Sequence, residues 1–214
     1  KAHYQIKNTE KGSSQYQMLK KYELSENDLR TLLSYSKKNN IKFISSVFDI
    51  SSLNLLKKLK VNCFKIPSGE INNIPLLEEV AKLNKKTIIS SGASTIKEIR
   101  ETIQFLLQSG LEKKKLTILH CVSDYPASLK DINLKAMLYI KKLTKTEVGF
   151  SDHTLGIEAA VASVVLGATF IEKHITLDKK LKGPDHKSSL EPKEFANMIQ
   201  SIRNVELVLS GDGK

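Results

Sequence analysis

From residue 41 onward the apolar positions fall into short runs separated by helically spaced segments. The runs are 41–48 (IKFISSVF), 61–68 (VNCFKIPS), 86–93 (KTIISSGA), 116–123 (LTILHCVS), 147–153 (EVGFSDH) and 169–177 (TFIEKHITL). Each is short, rich in Ile, Val, Phe or Thr and bounded by turn residues, which predicts buried strands. Between them, Ile96, Ile99, Ile103 and Leu107 recur at helical spacing, Thr95 and Glu98 form a capping box, and Gly110 follows the last turn. The last helix starts at Pro192 and sets Phe195, Met198, Ile199, Ile202, Val205 and Leu209 on one face. An earlier one starts at Ser25, with Asp28 three residues on, and carries Leu29, Leu32 and Leu33. Residues 1–40 are expected to supply a loop and this one helix, with no strand.

Strand–helix units repeating every ~20–30 residues predict parallel strands joined by helical crossovers. That leaves an open doubly wound sheet or a barrel. No GxGxxG turn follows a strand, which weakens the nucleotide-binding open sheet. Polar residues gather at the C-terminal ends of all six runs, where barrel enzymes keep their chemistry. The expectation is a (β/α)8 TIM barrel of which this chain holds six units, two N-terminal strands lying outside it.

Composition narrows this further. With 40% hydrophobic and 27% charged residues, ten Gly, five Pro and no Trp, the 214 residues fit a folded globular protein and exclude collagen-like or disordered classes. The net charge of +11 admits polyanion partners, or simply solvated lysines, since the excess is mostly Lys in clusters such as Lys57-Lys58 and Lys113-Lys114-Lys115. Two cysteines, Cys63 and Cys121, make neither a disulfide framework nor a CxxC pair, so a cytoplasmic setting is expected. The most apolar stretch, 157–171, is interrupted by Glu158. It falls short of the ~20 residues that span a bilayer.

The strongest chemical signal is a histidine at the end of each of two successive strands, in SDH (151–153) and EKH (172–174). Residues i and i+2 of a strand share a face, so Ser151 points with His153 and Glu172 with His174. Two such imidazoles either share a divalent metal or are structural, satisfied by backbone carbonyls. Lys65 stands inside a strand between Phe64 and Ile66. An inward lysine there needs an anion: a bound phosphate or carboxylate, or an acid on a neighbouring strand. Ser46, Ser68, Ser90, Ser91, Ser123 and Ser151 add hydroxyls at strand ends, a ring suited to an oxyanion. The loop around Gly183-Pro184 presents Asp185 and His186 either as a substrate loop or as a turn capping the next helix. His120 reads as a satisfied core histidine, and both cysteines as buried small hydrophobes.

Taken together, KIPSGEINNIPLLE, SSGASTIKEI, LHCVSDYPA, VGFSDHTLGIE, LGATFIEKHITLD and GPDHKSSLEP resemble the sialic acid synthase family, which includes N-acetylneuraminate and legionaminate synthases. The resemblance runs in family order along the whole chain. It implies a (β/α)8 barrel followed by a small antifreeze-like C-terminal domain. It also implies condensation of phosphoenolpyruvate with an N-acetylated mannosamine-type sugar, with release of phosphate, assisted by Mn2+ or Mg2+. His153 and His174 match the metal ligands. Lys65, Ser68, Ser151 and Ser46 match groups that hold the phosphate and carboxylate, with Ser123 where some members carry Asn. Tyr125 matches a residue lining the sugar pocket. Glu172 and Glu70 are the carboxylates expected in catalytic roles, Glu172 beside a water near the metal, Glu70 together with Asp185 at sugar hydroxyls.

Val47 stands where the family usually shows Pro, a change expected to alter loop stiffness. The resemblance further implies that residues 1–209 are a partial barrel and 210–214 the start of a linker. Two preceding strands would bring an acid and a lysine, and a following domain would reach across a homodimer with an arginine. Neither nucleic-acid nor membrane partners are expected. The reading from another class is a catalytically inactive basic barrel that binds polyanions, which the +11 charge alone favours.

Overall fold

The computed structural model describes residues 1–9 and 12–211; residues 212–214, most of the expected linker, lie outside the described residues. Six parallel strands form one sheet: β1 (Ser45–Ser46), β2 (Cys63–Ile66), β3 (Lys86–Ser90), β4 (Leu116–Cys121), β5 (Glu147–Asp152) and β6 (Ile171–Lys173). Their order in the sheet is their order in the chain. A doubly wound sheet reverses direction at a switch point; one-way winding is barrel topology. The helices are α1 (His3–Asn8), α2 (Gln15–Tyr22), α3 (Glu26–Lys38), α4 (Ile50–Lys58), α5 (Ile74–Leu83), α6 (Ile96–Gln108), α7 (Lys135–Thr144), α8 (Glu158–Val165) and α9 (Pro192–Leu209). Along the crossovers α4 packs on α5, α5 on α6, α6 on α7, and α8 on α9.

The sheet is curled, and one contact proves it. Strands lie about 4.8 Å apart, so in a flat sheet β2 and β6, four intervals apart, would be roughly 19 Å from each other. Yet Lys65 Nζ of β2 lies 2.9 Å from Glu172 Oε2 of β6. Two such side chains reach roughly 11 Å together, so the strands must bend toward one another. The result is an α/β half-barrel whose edges, β1 and β6, do not pair with each other.

Alternation sorts the strand residues. Phe64, Ile66, Ile89, Ile118, Val148 and Phe150 turn outward and pack under the helices against Leu53, Leu77, Val80, Ile103 and Leu106. Lys65, Ile88, Leu119 and Ser151 turn inward; in register Lys65 stands beside Ile88, Leu119 beside Ser90 and Gly149, and Ser151 beside Cys121 and Glu172. Ile88 and Leu119 are fully buried and form the floor of the interior. Helix starts follow the sequence signals: Thr95 Oγ1 accepts from Glu98 N at 3.2 Å, and Ser25 Oγ accepts from Asp28 N at 3.2 Å.

Three expectations need correction. Among the described residues before residue 40 there are three helices, not one. Helices α1 and α2 bury only Met18 between them, so their residues carry no apolar periodicity to read. The apolar face of α9 is narrower than its spacing implies, because Met198 and Ile202 are buried while Ile199 and Leu209 are exposed. On α3, Leu32 is likewise exposed, while Leu29 and Leu33 are partly buried against the core. Among the described residues no helix is long and apolar enough to cross a membrane.

Gly149 on β5 faces inward, where a Cβ would overlap the Phe170 carbonyl oxygen and come within 2.6 Å of Leu119 Cδ2. Gly149→Ala is therefore expected to lower stability by about 2 kcal/mol or more, since backbone stands in the way of relaxation. Urea unfolding reads this as a lower midpoint at unchanged slope. An unchanged midpoint would show that β5 and β6 have room to separate.

Candidate functional site

A pocket of about 700 Å³ opens at the C-terminal ends of the strands. It is lined by Ser46 from β1, Lys65 from β2, Ser90 from β3, Cys121 from β4, Ser151 from β5 and Glu172 from β6. The turns just beyond add Ser68, Ser123, Tyr125, His153 and His174. Nine of the eleven residues that the family resemblance matched thus share one cavity. Glu70 and Asp185 are not among its lining. The Glu70 carboxylate accepts from Asn73 Nδ2 at 2.7 Å, on the turn that caps α5. Asp185 lies behind His174, with Oδ2 3.8 Å from His174 Nδ1 and Oδ1 buried without a hydrogen-bond partner among the described residues.

At the centre stands Lys65, its side chain 9% exposed. Its ammonium contacts both oxygens of Glu172, at 2.9 and 3.1 Å. Ser151 Oγ donates to Glu172 Oε1 at 2.6 Å. Burial alone would raise the Glu172 pKa, but the Lys65 charge and the donors from Ser151 and Lys65 outweigh it and hold the carboxyl below its ordinary range. Glu172 is ionised at neutral pH.

That arrangement settles the state of His153. Its Nδ1 lies 2.7 Å from the Val122 carbonyl, which can only accept, so Nδ1 carries the proton. Burial lowers the imidazole pKa, with a further push from His174, so the ring is neutral and Nε2 bears a lone pair. Ser151 Oγ sits 3.2 Å from Nε2, but its single proton already goes to Glu172. The lone pair therefore faces the cavity without a donor. The His174 ring lies 5.5 Å away, nearly perpendicular. Tyr125 stacks on His153 at 4.1 Å and meets His174 edge-on at 5.5 Å; burial pushes its phenol well up, keeping it neutral.

The other wall is a hydroxyl cluster. Gly92 N donates to Ser68 Oγ at 3.0 Å, which leaves the Ser68 proton free for Cys121 Sγ at 3.4 Å or for a ligand. A Cβ at Gly92 would fall against Ser123 Oγ, Cys121 Sγ and Ser68 Oγ, so only glycine keeps this cradle open. Ser91, by contrast, spends its hydroxyl on the Leu119 carbonyl. His120 is the core histidine expected, its Nε2 2.6 Å from the Ile132 carbonyl.

Sequence reasoning missed the roof. Ala2, Tyr4 and Gln15 line the cavity. Tyr4 packs on Tyr125 at 5.1 Å, and Asn8 Nδ2 ties α1 to the Pro184 carbonyl at 3.1 Å. No periodicity or motif marks a polar helix that closes over a site contributed by distant strands.

Among the described residues no group of three or more His, Cys, Asp or Glu is arranged to hold a metal ion. What the site offers is a pair of imidazoles: the orphaned Nε2 lone pair of His153 with the His174 ring beside it.

Chain-order winding puts this pocket where α/β-barrel proteins bind ligands, and that is the class which fold and site define. The chain belongs to the NeuB family, whose model matches residues 1–214. It is 47% identical over 213 residues to the N,N'-diacetyllegionaminic acid synthase of Campylobacter jejuni, covering 100% of this chain and 64% of that protein. Against the enzyme of the same name from Legionella pneumophila the figures are 45% over 218 residues, 100% and 61%. The chain thus spans less than two thirds of the length of these relatives. The crystal structure of N-acetylneuraminic acid synthetase from Leptospira borgpetersenii, solved with citrate, superposes with a TM-score of 0.87 at 34% identity, over 94% of this chain and 70% of that one.

Ser90 Oγ is buried, lines the pocket and has no hydrogen-bond partner among the described residues. An unsatisfied buried hydroxyl costs about 1–3 kcal/mol. Ser90→Ala should therefore raise the urea midpoint of the free protein. A lower midpoint would mean the hydroxyl is bonded in the folded state.

Proposed function

We propose that this chain carries the catalytic face of a nonulosonic acid synthase, which joins phosphoenolpyruvate to an N-acetylated mannosamine-type sugar and releases phosphate. One observation carries the reading: a single cavity opposes a buried ammonium and hydroxyl cradle to a neutral imidazole lone pair. The first suits a phosphate and carboxylate, the second a cation near a sugar carbonyl. The names of the family relatives support the same substrate class.

In this reading Lys65, Ser46, Ser68, Ser123 and Ser151 grip the phosphate and carboxylate, the phosphate displacing Glu172 as partner of Lys65. His153 and His174 would hold a divalent ion, Mn2+ or Mg2+, which when bound supplies Lewis acidity toward the open-chain aldehyde. Tyr125 and Tyr4 wall the sugar side. C3 of the enol attacks the aldehyde carbon, leaving positive character at C2. Glu172, released from Lys65, orients the water that adds to C2. One proton of that water passes to the alkoxide formed from the aldehyde. The tetrahedral product then breaks the bond from C2 to the bridging oxygen as its C2 hydroxyl becomes the ketone, and phosphate leaves with the bridging oxygen and the hydroxyl proton. No nucleophilic side chain is needed. Glu70 and Asp185 remain proposed sugar contacts, which requires their loops to turn toward the cavity when substrate binds.

The reading extends beyond this chain. Two further strands between β6 and β1 would close the barrel and bring an acid and a lysine. An antifreeze-like domain after a linker beginning near residue 210 would cover the sugar across a homodimer. The setting is cytoplasmic, and the product serves surface polysaccharide.

Lys65→Met keeps the aliphatic stem and removes the charge. In the full-length enzyme it should raise the phosphoenolpyruvate KM by about ten-fold or more while moving the sugar KM little, because a charge-assisted bond is worth roughly 1.5–3 kcal/mol. Equal effects on both substrates would point to a folding role instead. With ¹⁸O at the bridging oxygen of phosphoenolpyruvate, the label should appear in the released phosphate. Label retained in the sugar product would exclude this bond cleavage.

A further inference from the structure

Behind the two histidines, on the outward face of the sheet, lies an ion pair that none of the chemistry above uses. Asp152 ends β5, Lys173 ends β6, and the two stand opposite each other in register. Lys173 Nζ donates to Asp152 Oδ2 at 2.8 Å, and both side chains are 0% exposed. Each makes further hydrogen bonds beyond the pair. Asp152 Oδ1 accepts from both the backbone N and Oγ1 of Thr154 at 2.8 Å, and Lys173 Nζ also donates to the Thr154 carbonyl at 2.6 Å.

Each hydrogen bond bears on a histidine. His153 sits between Asp152 and Thr154, so the bonds joining those two residues clamp the backbone on both sides of it. Its own carbonyl accepts from Ala127 N at 2.9 Å, which draws in the segment carrying Tyr125. His174 directly follows Lys173, and its carbonyl accepts from Leu190 N at 2.9 Å. A lateral or vertical slip of β6 against β5 would have to break the buried pair first. Burying two charges is a poor way to gain stability, since apolar pairs of like volume often serve as well or better. What a directed, buried ion pair supplies is a single register, and the distance between His153 and His174 is set by that register.

We infer that Asp152 and Lys173 are positioning residues that lock the ends of β5 and β6 so that the two imidazoles converge on one cation. The inference rests on the proposed reading of His153 and His174 as cation ligands. Neither residue touches substrate.

The test uses the full-length protein and Mn2+ alone as the probe. Asp152→Asn/Lys173→Met keeps an acceptor for Thr154 and removes both charges and the cross-strand tie, leaving no lone buried charge. Mn2+ binding by calorimetry and the urea midpoint are measured for wild type, this double variant and His153→Ala. The expected result is a midpoint near or above that of wild type with a Mn2+ Kd raised about ten-fold or more, the range found when groups that orient metal ligands are lost. A folded double variant that binds Mn2+ like wild type overturns the inference. If wild type binds no more tightly than His153→Ala, the ligand reading itself falls, which is a distinct outcome. Should the double variant not fold, Thr154→Val removes one donor to Asp152. It is expected to weaken Mn2+ binding about three-fold, and unchanged affinity there overturns the inference equally.

Discussion

An ammonium inside a barrel cannot be left alone, and the pocket is organised around that constraint. Lys65 is fixed inward by its flanking residues, because Phe64 and Ile66 belong to the outer core. Its nearest acid comes from the far edge of the sheet, so the contact with Glu172 both satisfies the charge and closes the curl. Glu172, once held, accepts the hydrogen bond that Ser151 Oγ donates. Ser151 then has no proton to offer His153, and the Val122 carbonyl fixes the proton on the other ring nitrogen. A lone pair is thereby aimed into the cavity by a chain of hydrogen bonds that begins at a lysine on the opposite side. The protonation states follow one another in sequence, and none can change without moving the rest.

The Lys65–Glu172 pair also gives the pocket a stored alternative. A phosphate carries more charge than one carboxylate and offers Lys65 several oxygens, so it can take the ammonium without leaving it unpaired at any stage. The carboxylate released in the exchange already has Ser151 beside it. In the proposed reading the site is thus kept electrostatically satisfied before phosphoenolpyruvate arrives, at the cost of a pair that its phosphate would have to break.

Much of this was legible in the sequence, for definable reasons. Strands are short here and their composition is apolar on both faces, so 86–93 and 116–123 stood out as runs around β3 and β4. Period-two alternation gave the partnership of Ser151 with His153 and of Glu172 with His174, because geometry within one strand is local. The acid that meets Lys65 was not identifiable, since 107 residues separate it from Glu172 and only the curl brings them together. Nor was Tyr4, whose helix buries nothing and so leaves no apolar pattern. Asp152 and Lys173 were invisible for the opposite reason: charged residues at strand ends read as solvated, and here they are wholly enclosed. Glu70 and Asp185 were carried by motif alone, and their side chains answer to Asn73 and to the surroundings of His174.

The net charge of +11, which from composition alone admitted polyanion binding, has a structural explanation. Inside the pocket Lys65 and Glu172 cancel. The excess sits elsewhere, in the last turns of helices: Lys20 and Lys21 on α2, Lys37 and Lys38 on α3, Lys57 and Lys58 on α4, Lys82 on α5, Lys141 and Lys142 on α7. Cations there complement the partial negative charge of unsatisfied carbonyls at a helix C-terminus. In a parallel α/β sheet each crossover helix runs back against its strands, so the C-terminal ends of α4, α5 and α7 collect at the bottom of the barrel, away from the mouth. Lys113, Lys114 and Lys145 join Lys141 around a surface hollow at that end. A basic protein of this topology therefore need not be a nucleic-acid binder: its lysines answer to helix ends, while the one lysine that matters at the mouth answers to a carboxylate.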